Sequence, residues 1–382
     1  MNRIPIEDEI VALRRDLHRH PELSGQETRT AGIVAAELER LGLKVIRAPE
    51  RGNSLLGVLD TGRPGRTLAL RADMDALPVE EATGLPQASC HAGKMHACGH
   101  DAHMACALGA LRLLRGEGER AATLRVLFQP AEETDGGAAK MIEAGALDGV
   151  SSALCLHVAP SLAVGQIGVI SGPARGASDM FNVTLRGRGC HGAYPHLGAD
   201  VVAGGAQIIS ALQLLVSRET SPLDPAVLTV GTFAAGTARN IVPDSARFEG
   251  IVRTLDPATR ARTTARVREL VEGVAAALRL SAEVEFIEGY PALINDAEVA
   301  AAVRRVGARE LGAENVITPL CPQLGVDDFA CIAERVPGCY VDLGARRPGG
   351  VEEPLHSPRF YPDEGCLPVG AALIAAWAQS RA

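Results

Sequence analysis

Four histidines and a cysteine lie close together between His91 and His103, and this cluster is the most chemically informative part of the sequence. Its centre reads Cys98-Gly99-His100. Thiolate and imidazole are good ligands for zinc and other late divalent metals. Gly99 permits a tight turn that would bring both side chains to one ion. Taken alone, the segment is equally consistent with a loop that carries incidental histidines and one buried cysteine.

Three further segments carry residues that could complete a metal site. Glu132 and Glu133 follow a predicted strand over 124–128, at the carboxyl end of a strand, where α/β enzymes place their chemistry. Adjacent residues point in different directions, so one carboxylate can bind metal while the other faces a bound water. His157 lies near the end of an apolar strand, and His356 lies in a loop between two prolines. Each feature alone has an ordinary explanation: a solvated acidic turn, a core histidine and a loop histidine.

The elements that would position these residues alternate between helix and strand. Apolar spacing predicts helices over 6–17 and 28–41, the second ended by Gly42 as a C-cap. Strands are predicted over 54–59, 67–71, 124–128 and 153–158, with a helix over 101–114. This alternation predicts an α/β fold whose layered catalytic domain surrounds a central, mixed sheet.

The pattern changes near Gly172. Strands are predicted over 179–185, 226–232 and 247–253, with long helices over 200–219 and 258–278. Two strand–helix units in a short stretch predict a smaller α/β domain inserted into the first. We therefore expect a larger domain over 1–176 and 289–382, interrupted by a smaller inserted domain over 177–288.

Composition excludes several classes of function. The chain has 382 residues and a net charge of −8, which argues against nucleic acid as a partner because phosphate binding needs a basic surface. The first residues lack the apolar core of a signal peptide, and no apolar run reaches the roughly 18 residues of a membrane span. The nine cysteines are scattered, so we expect reduced thiols in a cytoplasmic protein that has no membrane partner.

These motifs together resemble a metallo-aminoacylase family that includes hippurate hydrolases, indole-acetyl-amino-acid hydrolases and N-acyl amino acid amidohydrolases. The resemblance covers nearly the whole chain. It includes the segments at 17–23 (LHRHPEL), 71–78 (RADMDALP), 95–103 (MHACGHDAH), 132–133 (EE) and 355–358 (LHSP).

The resemblance implies a centre with one or two divalent ions (Zn, Mn, Co or Ni) and a definite set of residues. The implied ligands are Cys98, His100, Glu133, His157 and His356. Glu132 would be the general base and Asp75 the orienting aspartate. The larger domain would be the family's catalytic domain, and the inserted domain over 177–288 its lid domain, which commonly mediates dimerisation. In the lid domain, His191 would help to hold the tetrahedral oxyanion. Asn240 and Arg253 would contact the carboxylate end of the substrate.

We therefore expect a metal-dependent hydrolase that cleaves N-acyl or N-aroyl amino acids to a carboxylic acid and a free amino acid. A bound divalent ion lowers the pKa of water from about 16 toward roughly 7, and Glu132 would then accept its proton. The expected partners are the small-molecule substrate and further copies of the chain, in a homodimer or higher oligomer formed through the lid.

Two other interpretations stay open, and the chain departs from the family pattern in two places. Cys98 could be the nucleophile of a thiol-dependent amidase, or the chain could be a catalytically silent binding homologue. A zinc deaminase and a His-Glu-x-x-His metalloprotease are disfavoured because their motifs are missing. Asp327 stands where the family usually has glutamate, and Arg346 and Arg347 are adjacent in a segment whose relation to the substrate the sequence does not define.

Overall fold

The computed structural model describes residues 7–48, 53–62, 65–116, 122–134, 136–318, 321–347, 349 and 352–380. Within these residues the α-helices are α1 (Glu7–Arg19), α2 (Thr28–Arg40), α3 (His100–Gly116), α4 (Gly137–Glu143), α5 (Val201–Leu214), α6 (Pro257–Ala277), α7 (Ala297–Leu311), α8 (Phe329–Ala333) and α9 (Cys366–Gln379). The strands are β1 (Lys44–Ala48), β2 (Ser54–Leu59), β3 (Arg66–Asp73), β4 (Ala122–Gln129), β5 (Val150–Ala163), β6 (Ile167–Gly168), β7 (Gly172–Arg175), β8 (Ala177–Arg186), β9 (Cys190–His191), β10 (Ala226–Ala235), β11 (Ile241–Val242), β12 (Ser245–Thr254), β13 (Ser281–Glu288), β14 (Leu293–Asn295), β15 (Val316–Ile317) and β16 (Gly338–Arg346).

Two compact units divide the chain. The larger comprises residues 1–172, 294–321 and 328–382, and the smaller comprises residues 173–293 and 322–327. The predicted α/β fold with a central mixed sheet and an additional smaller α/β unit is confirmed. The domain limits of 1–176, 177–288 and 289–382 stay a prediction.

The larger unit is built on an eight-stranded sheet in the order β1-β2-β4-β3-β5-β16-β6-β15. Its central strands β4, β3, β5 and β16 run parallel, whereas β1 and β2 pair antiparallel at one edge. Parallel strands are buried on both faces, so they read as continuous apolar runs. β16 fits this rule, since all its residues except the last are buried. The carboxyl ends of the central strands meet at one edge, where the candidate residues follow.

Helix α3 is buried almost all round, because the sheet and its neighbours α1 and α9 enclose it. Its sequence is rich in alanine, which allows close packing on several sides. Gly109 illustrates this packing, since a Cβ atom there would lie 2.9 Å from Cβ of Ala371 in α9. The enclosure fixes the first turn of α3, which begins at His100.

The smaller unit has a four-stranded antiparallel sheet in the order β10-β12-β8-β13. Helices α5 and α6 pack against the sheet and share one apolar core with it, in which Phe181 and Phe248 are fully buried. The predicted strands over 179–185, 226–232 and 247–253 are confirmed within β8, β10 and β12. The sequence analysis did not identify β13, whose burial alternates only weakly.

One described helical stretch, Val201–Glu219, is long and apolar enough to satisfy a simple test for a membrane span. It comprises α5 and a following π-helical turn, Leu215–Glu219. Ile208, Leu212 and Leu215 are buried in the core of the smaller unit. Because one face of this stretch belongs to that core, its apolar character has an explanation in packing.

The start of α3 is held by a buried ion cluster with α1. Oδ2 of Asp101 lies 2.7 Å from Nε of Arg14 and accepts a 2.8 Å hydrogen bond from Nδ1 of His18. All three side chains are fully buried. Burial alone would raise the pKa of Asp101, but Arg14 and His18 outweigh it and lower that pKa below its usual range. The buried positive charges of Arg14 and His18 are therefore both compensated by Asp101, the residue that follows His100.

We predict that Asp101→Asn lowers the free energy of unfolding of the metal-free protein by about 3–5 kcal/mol, because it leaves buried charge uncompensated. Denaturant titration followed by fluorescence of Trp377 would measure this effect. Trp377 is the only tryptophan in the chain and is buried in α9 of the same unit.

The matched control is Glu39→Gln, which breaks an exposed pair with Arg47 and should change stability little. Equal effects of the two substitutions would contradict the assigned importance of the buried cluster.

Candidate metal centre

Cys98 and His100 are positioned by a turn that only glycine can make. Gly99 has φ of +85°, in the left-handed region, and a Cβ atom there would lie 2.4 Å from Cγ2 of Val158. The carbonyl of Gly99 accepts hydrogen bonds from the backbone N–H groups of Ala102 and His103, which starts α3. The predicted role of Gly99 is therefore confirmed, and the turn presents Cys98 and His100 on either side of it.

The two glutamates stand in a strained turn after β4. Ala131 has φ of +56°, which is unfavourable for a residue with a Cβ atom. Two hydrogen bonds hold this turn: Ala131 N–H donates to Oε1 of Glu27 over 2.9 Å, and Glu133 N–H donates to Oδ2 of Asp75 over 3.1 Å. Glu132 is buried between these two anchored positions. The turn thus fixes both carboxylates relative to β3 and α2.

The larger unit brings the five predicted ligands together. Their ligating atoms are close in pairs: Cys98 Sγ and His157 Nε2 are 3.5 Å apart, His100 Nε2 and Glu133 Oε1 are 3.8 Å apart, and His356 Nε2 and Glu133 Oε1 are 3.3 Å apart. Donors at 2.0–2.3 Å from a tetrahedral ion are separated by roughly 3.3–3.7 Å. An oxygen of Glu132 lies within 4.8 Å of the ligating atoms of His100 and Glu133.

Two buried atoms at this centre lack hydrogen-bond partners among the described residues, namely His100 Nε2 and Glu133 Oε1. Buried polar atoms are almost always satisfied, and a cation between these two atoms would satisfy both. The donor set of one thiol, three imidazoles and one carboxylate suits zinc and other late divalent ions. The residues present therefore fit a metal centre.

Asp75 contacts two segments that carry candidate ligands, at His100 and at Glu133. Its Oδ1 lies 3.2 Å from Nδ1 of His100, and its Oδ2 accepts hydrogen bonds from the Ser24 hydroxyl and from Glu133 N–H. A carboxylate behind a metal-ligating histidine fixes the ring orientation and tautomer. Asp75 also connects His100 to the glutamate turn, so one side chain orients two ligand segments.

Comparison with known proteins identifies the family of this chain. The sequence profile of Peptidase family M20/M25/M40 matches residues 69–380. The chain belongs to this family.

N-acetyl-L-cysteine deacetylase from Bacillus subtilis (strain 168) is 40% identical over 368 residues, which cover 96% of this chain and 86% of that protein. IAA-amino acid hydrolase ILR1-like 4 from Arabidopsis thaliana is 38% identical over 380 residues, which cover 97% and 85%. A solved structure from Bacillus subtilis, described as a dinuclear metal-binding peptidase of the M20 family, is 36% identical with a TM-score of 0.86, covering 98% and 97%. The chain is thus a metal-dependent amidohydrolase of the M20 family.

Burial and neighbouring charges shift the pKa values of three candidate ligands. Burial raises the pKa of the Cys98 thiol well above its usual range and lowers the pKa of His157 well below its own. Burial alone would also lower the pKa of His100, but Asp73 and its other anionic neighbours raise it instead. A thiol and an imidazolium must lose a proton before they bind metal, so an ion held by the candidate ligands Cys98 and His100 would release protons on binding.

Sequence reasoning missed a second histidine of α3 that lies at the centre. His103 groups with Asp73, His100 and His157 by the closeness of its ring nitrogens. Both nitrogens are already used, however: Nδ1 lies 2.6 Å from Oδ1 of Asp73, and Nε2 accepts a hydrogen bond from Val158 N–H. His103 is therefore a supporting residue rather than a ligand. The i, i+3 spacing of His100 and His103 on one helix face was the available signal.

Asp73 belongs to a buried charged network beneath the ligands. Nη1 of Arg71 donates to Asp73, and Nη2 of Arg71 donates to Oδ1 of Asp328 over 2.7 Å. Nε2 of Gln129 donates to both carboxylate oxygens of Asp328. Burial opposes ionisation of Asp73, but Arg71, His100 and His103 lower its pKa well below the usual range. The network keeps a negative charge beside His100. Asp327, the residue noted for its departure from the family, is buried in the smaller unit.

The remaining predicted residues lie in the smaller unit. His191 pairs with Ile241 across the β9–β11 ladder, and Gly192 N–H donates to the carbonyl of Asn240, so His191 and Asn240 line one cavity. Nδ1 of His191 accepts a hydrogen bond from Ala193 N–H, which leaves Nε2 as its outward atom. Arg253 lies apart from them on β12, and its buried Nη1 has no hydrogen-bond partner among the described residues.

Arg346 and Arg347 line a cavity of about 320 Å³ in the larger unit, together with Phe360 and Tyr361. The ring of Phe360 also lies beside Gly99, where it would be 3.5 Å from an added Cβ atom. Phe360 therefore separates this arginine-lined cavity from the turn that carries two of the predicted ligands.

We predict that Glu27→Gln removes a pH-dependent part of the stability. Burial raises the pKa of Glu27 from 4.5 to about 7. Between pH 4.5 and 7, Glu27 is therefore protonated in the folded state but ionised in the unfolded state. This contribution is fully present below pH 4.5 and is lost as the pH rises through 7. Trp377 fluorescence in denaturant titrations of metal-free protein should show a fall of roughly 1–3 kcal/mol between pH 4.5 and 7.5 that Glu27→Gln lacks.

Comparing Glu27→Ala with Glu27→Gln separates the effect of the charge from the effect of the hydrogen bond. Glu27→Ala also removes the acceptor for Ala131 N–H, so it should lower turnover of the metal-loaded enzyme, whereas Glu27→Gln retains an acceptor. An unchanged pH dependence in Glu27→Gln would show that Glu27 is not the titrating group.

Proposed function

We propose that the protein hydrolyses the amide bond of N-acyl or N-aroyl amino acids, with Glu132 as the general base. The observation that carries the proposal is the convergence of five candidate ligands beside a sixth group, the buried carboxylate of Glu132. Two relatives are named for action on N-acetylcysteine and on IAA-amino acids, and both names support a substrate in which an acyl group is joined to an amino acid.

The ligands of this centre are Cys98, His100, Glu133, His157 and His356. Divalent ions held there would lower the pKa of water and polarise the scissile carbonyl. The dinuclear description of a solved relative supports two ions, and the mixed thiol, imidazole and carboxylate donors are compatible with Zn, Mn, Co or Ni.

Glu132 accepts the proton of the attacking water and delivers it to the leaving amine. The turn that carries it is fixed through Ala131 and Glu133, so the carboxylate meets the reacting atoms without having to reorganise. Asp75 keeps His100 oriented throughout the reaction.

Residues of the smaller unit bind the substrate in this proposal. Arg253 is the anchor for the substrate carboxylate, which is supported by its buried guanidinium nitrogen without a partner among the described residues. Asn240 assists at the same end of the substrate. His191 donates from Nε2 to the developing oxyanion, an interaction whose loss typically costs about 10²–10³ in rate.

We further propose that the protein is cytoplasmic and forms a homodimer through the smaller unit. Exposed apolar side chains on that unit support an interface there: Met180 is 42% exposed, Phe233 39% and Ile287 43%. Edge strands β10 and β13 offer unpaired backbone groups in addition.

A panel of N-acetyl, N-benzoyl and indole-acetyl amino acids tests the reaction class. We expect hydrolysis that disappears on chelation and returns with Zn or Mn, as measured by release of the free amino acid. Each substrate should be paired with its carboxamide, which lacks the negative charge. We expect a lower kcat/KM for the carboxamides, and a smaller difference in Arg253→Met.

Other outcomes of the panel are informative. Activity that survives thorough metal removal would favour a thiol amidase with Cys98 as the nucleophile. Its burial and raised thiol pKa make that outcome unexpected. Inactivity on all substrates with every metal would reject this substrate class and favour a silent binding homologue.

We predict that Glu132→Gln retains its metal and loses about 10²–10⁴ in kcat, because the amide cannot accept a proton. Metal content by mass spectrometry and initial rates on the best substrate measure the two effects. Glu133→Gln is the matched control, since it changes the adjacent carboxylate and should lower metal content. Full activity in Glu132→Gln would refute its assignment as the base.

A further inference from the structure

A second group of metal-ligating side chains lies on the surface of the larger unit. It consists of His20, Cys90 and His91, none of which belongs to the centre described above. Sγ of Cys90 lies 3.2 Å from Nδ1 of His20, and Nδ1 of His20 lies 3.4 Å from Nε2 of His91. The three ligating atoms all fall within 4.8 Å of one another. We name them the His20–Cys90–His91 cluster.

Backbone hydrogen bonds bring these residues together. The carbonyl of Arg19, the last residue of α1, accepts a 2.9 Å hydrogen bond from Cys90 N–H. Ser89 N–H donates to Oε2 of Glu81, and His91 N–H donates to the Ser89 hydroxyl. Residues 89–91 are therefore held against the end of α1 without any ion. The Cys90 thiol also donates to the Arg19 carbonyl over 2.9 Å, and ion binding would replace this hydrogen bond when the thiol loses its proton.

We propose that the His20–Cys90–His91 cluster is a second metal site, which takes one zinc-like divalent ion with a thiolate and two imidazoles as ligands. Tetrahedral zinc at 2.3 Å from sulfur and about 2.05 Å from nitrogen separates sulfur from nitrogen by roughly 3.5 Å and two nitrogens by roughly 3.3 Å. The observed separations of 3.2 and 3.4 Å lie within a few tenths of an ångström of these values. Hard ions such as Mg²⁺ and Ca²⁺ are excluded because they prefer oxygen.

A carboxylate lies near the His20 ring. Nε2 of His20, on the far side of the ring from Cys90, lies 3.8 Å from Oδ1 of Asp16, and that carboxylate is held by Arg29 over 2.9 Å. This separation is longer than a hydrogen bond, so Asp16 contributes negative charge near the cluster, which favours a bound cation.

Such an ion would cross-link the residue after α1 to the segment that leads to the catalytic centre. Residues 89–91 are followed by Met95, which pairs with Leu77, and then by Cys98. Three protein ligands leave a fourth position open to water or an external ligand, as in zinc sites that are not purely structural. The site is independent of the proposed reaction, because it uses none of the residues assigned to it.

Zinc stoichiometry tests the proposal. Full-length protein is dialysed against chelator-buffered Zn²⁺ and its metal content measured by mass spectrometry. We expect the Cys90→Ser/His91→Ala variant to bind one zinc fewer per chain than the wild type. The matched control is Cys321→Ser/His196→Ala, which removes an exposed cysteine and an exposed histidine elsewhere and should bind as much zinc as the wild type. Equal zinc content in all three proteins would overturn the proposal.

A second measurement on the wild type needs no variant. Zn²⁺ should slow alkylation of Cys90 by iodoacetamide at least tenfold, as followed by peptide mass spectrometry. Cys321, also exposed, is the internal control and should react at the same rate with and without Zn²⁺. A rate at Cys90 that zinc does not change would overturn the proposal. The proposed function would be unaffected, since amide hydrolysis is measured separately.

Discussion

Buried charge governs this structure. Ionisable groups taken out of water must find partners, and the larger unit meets this requirement on both sides of His100. On one side, Asp101 pairs with Arg14 and His18 from α1. On the other, Asp73 at the end of β3 pairs with Arg71 and His103. His100 lies between these two networks, and its Nε2, which has no hydrogen-bond partner among the described residues, lies 3.8 Å from Oε1 of Glu133.

Support for the ligands is therefore shared rather than local. Asp75 connects His100 to the glutamate turn, and Glu27 holds the same turn through Ala131. The left-handed conformation of Ala131 persists because both ends of the turn are anchored. His356 also has a positive φ, of +67°, so two of the segments that carry candidate metal-site residues contain unfavourable backbone. Strain of this kind is common where a site needs fixed geometry more than stability.

The sequence predicted much of this arrangement, and the parts it missed share a physical cause. Gly99, Glu132 and Glu133 were found because turn chemistry and strand ends are local signals. Strand β16 was not delimited, although it lies centrally in the sheet, because Asp342 and Gly344 interrupt the apolar run that marks a strand buried on both faces.

The supporting residues Arg14, Glu27 and Asp328 were missed for a different reason. Each contacts partners far away in the sequence, for example Glu27 with Ala131 and Asp328 with Arg71. A lone charged residue in a helix reads as a surface residue, and only the folded chain shows that Arg14 is fully buried. Family resemblance identified the candidate ligands, whereas the network that orients them required coordinates.

The discontinuity of the larger unit has a consequence for synthesis on the ribosome. β16 lies between β5 and β6 in the sheet, yet about 175 residues separate the end of β5 from the start of β16. At translation rates of about 5–20 residues per second, roughly 9 to 35 seconds pass before this strand is synthesised. The smaller unit is nearly contiguous in sequence, so all its residues have been synthesised by then. The edge of β5 that pairs with β16 is still unpaired at that time. His356 follows later still, so the complete set of candidate ligands exists in the nascent chain only after the last central strand of the sheet has emerged.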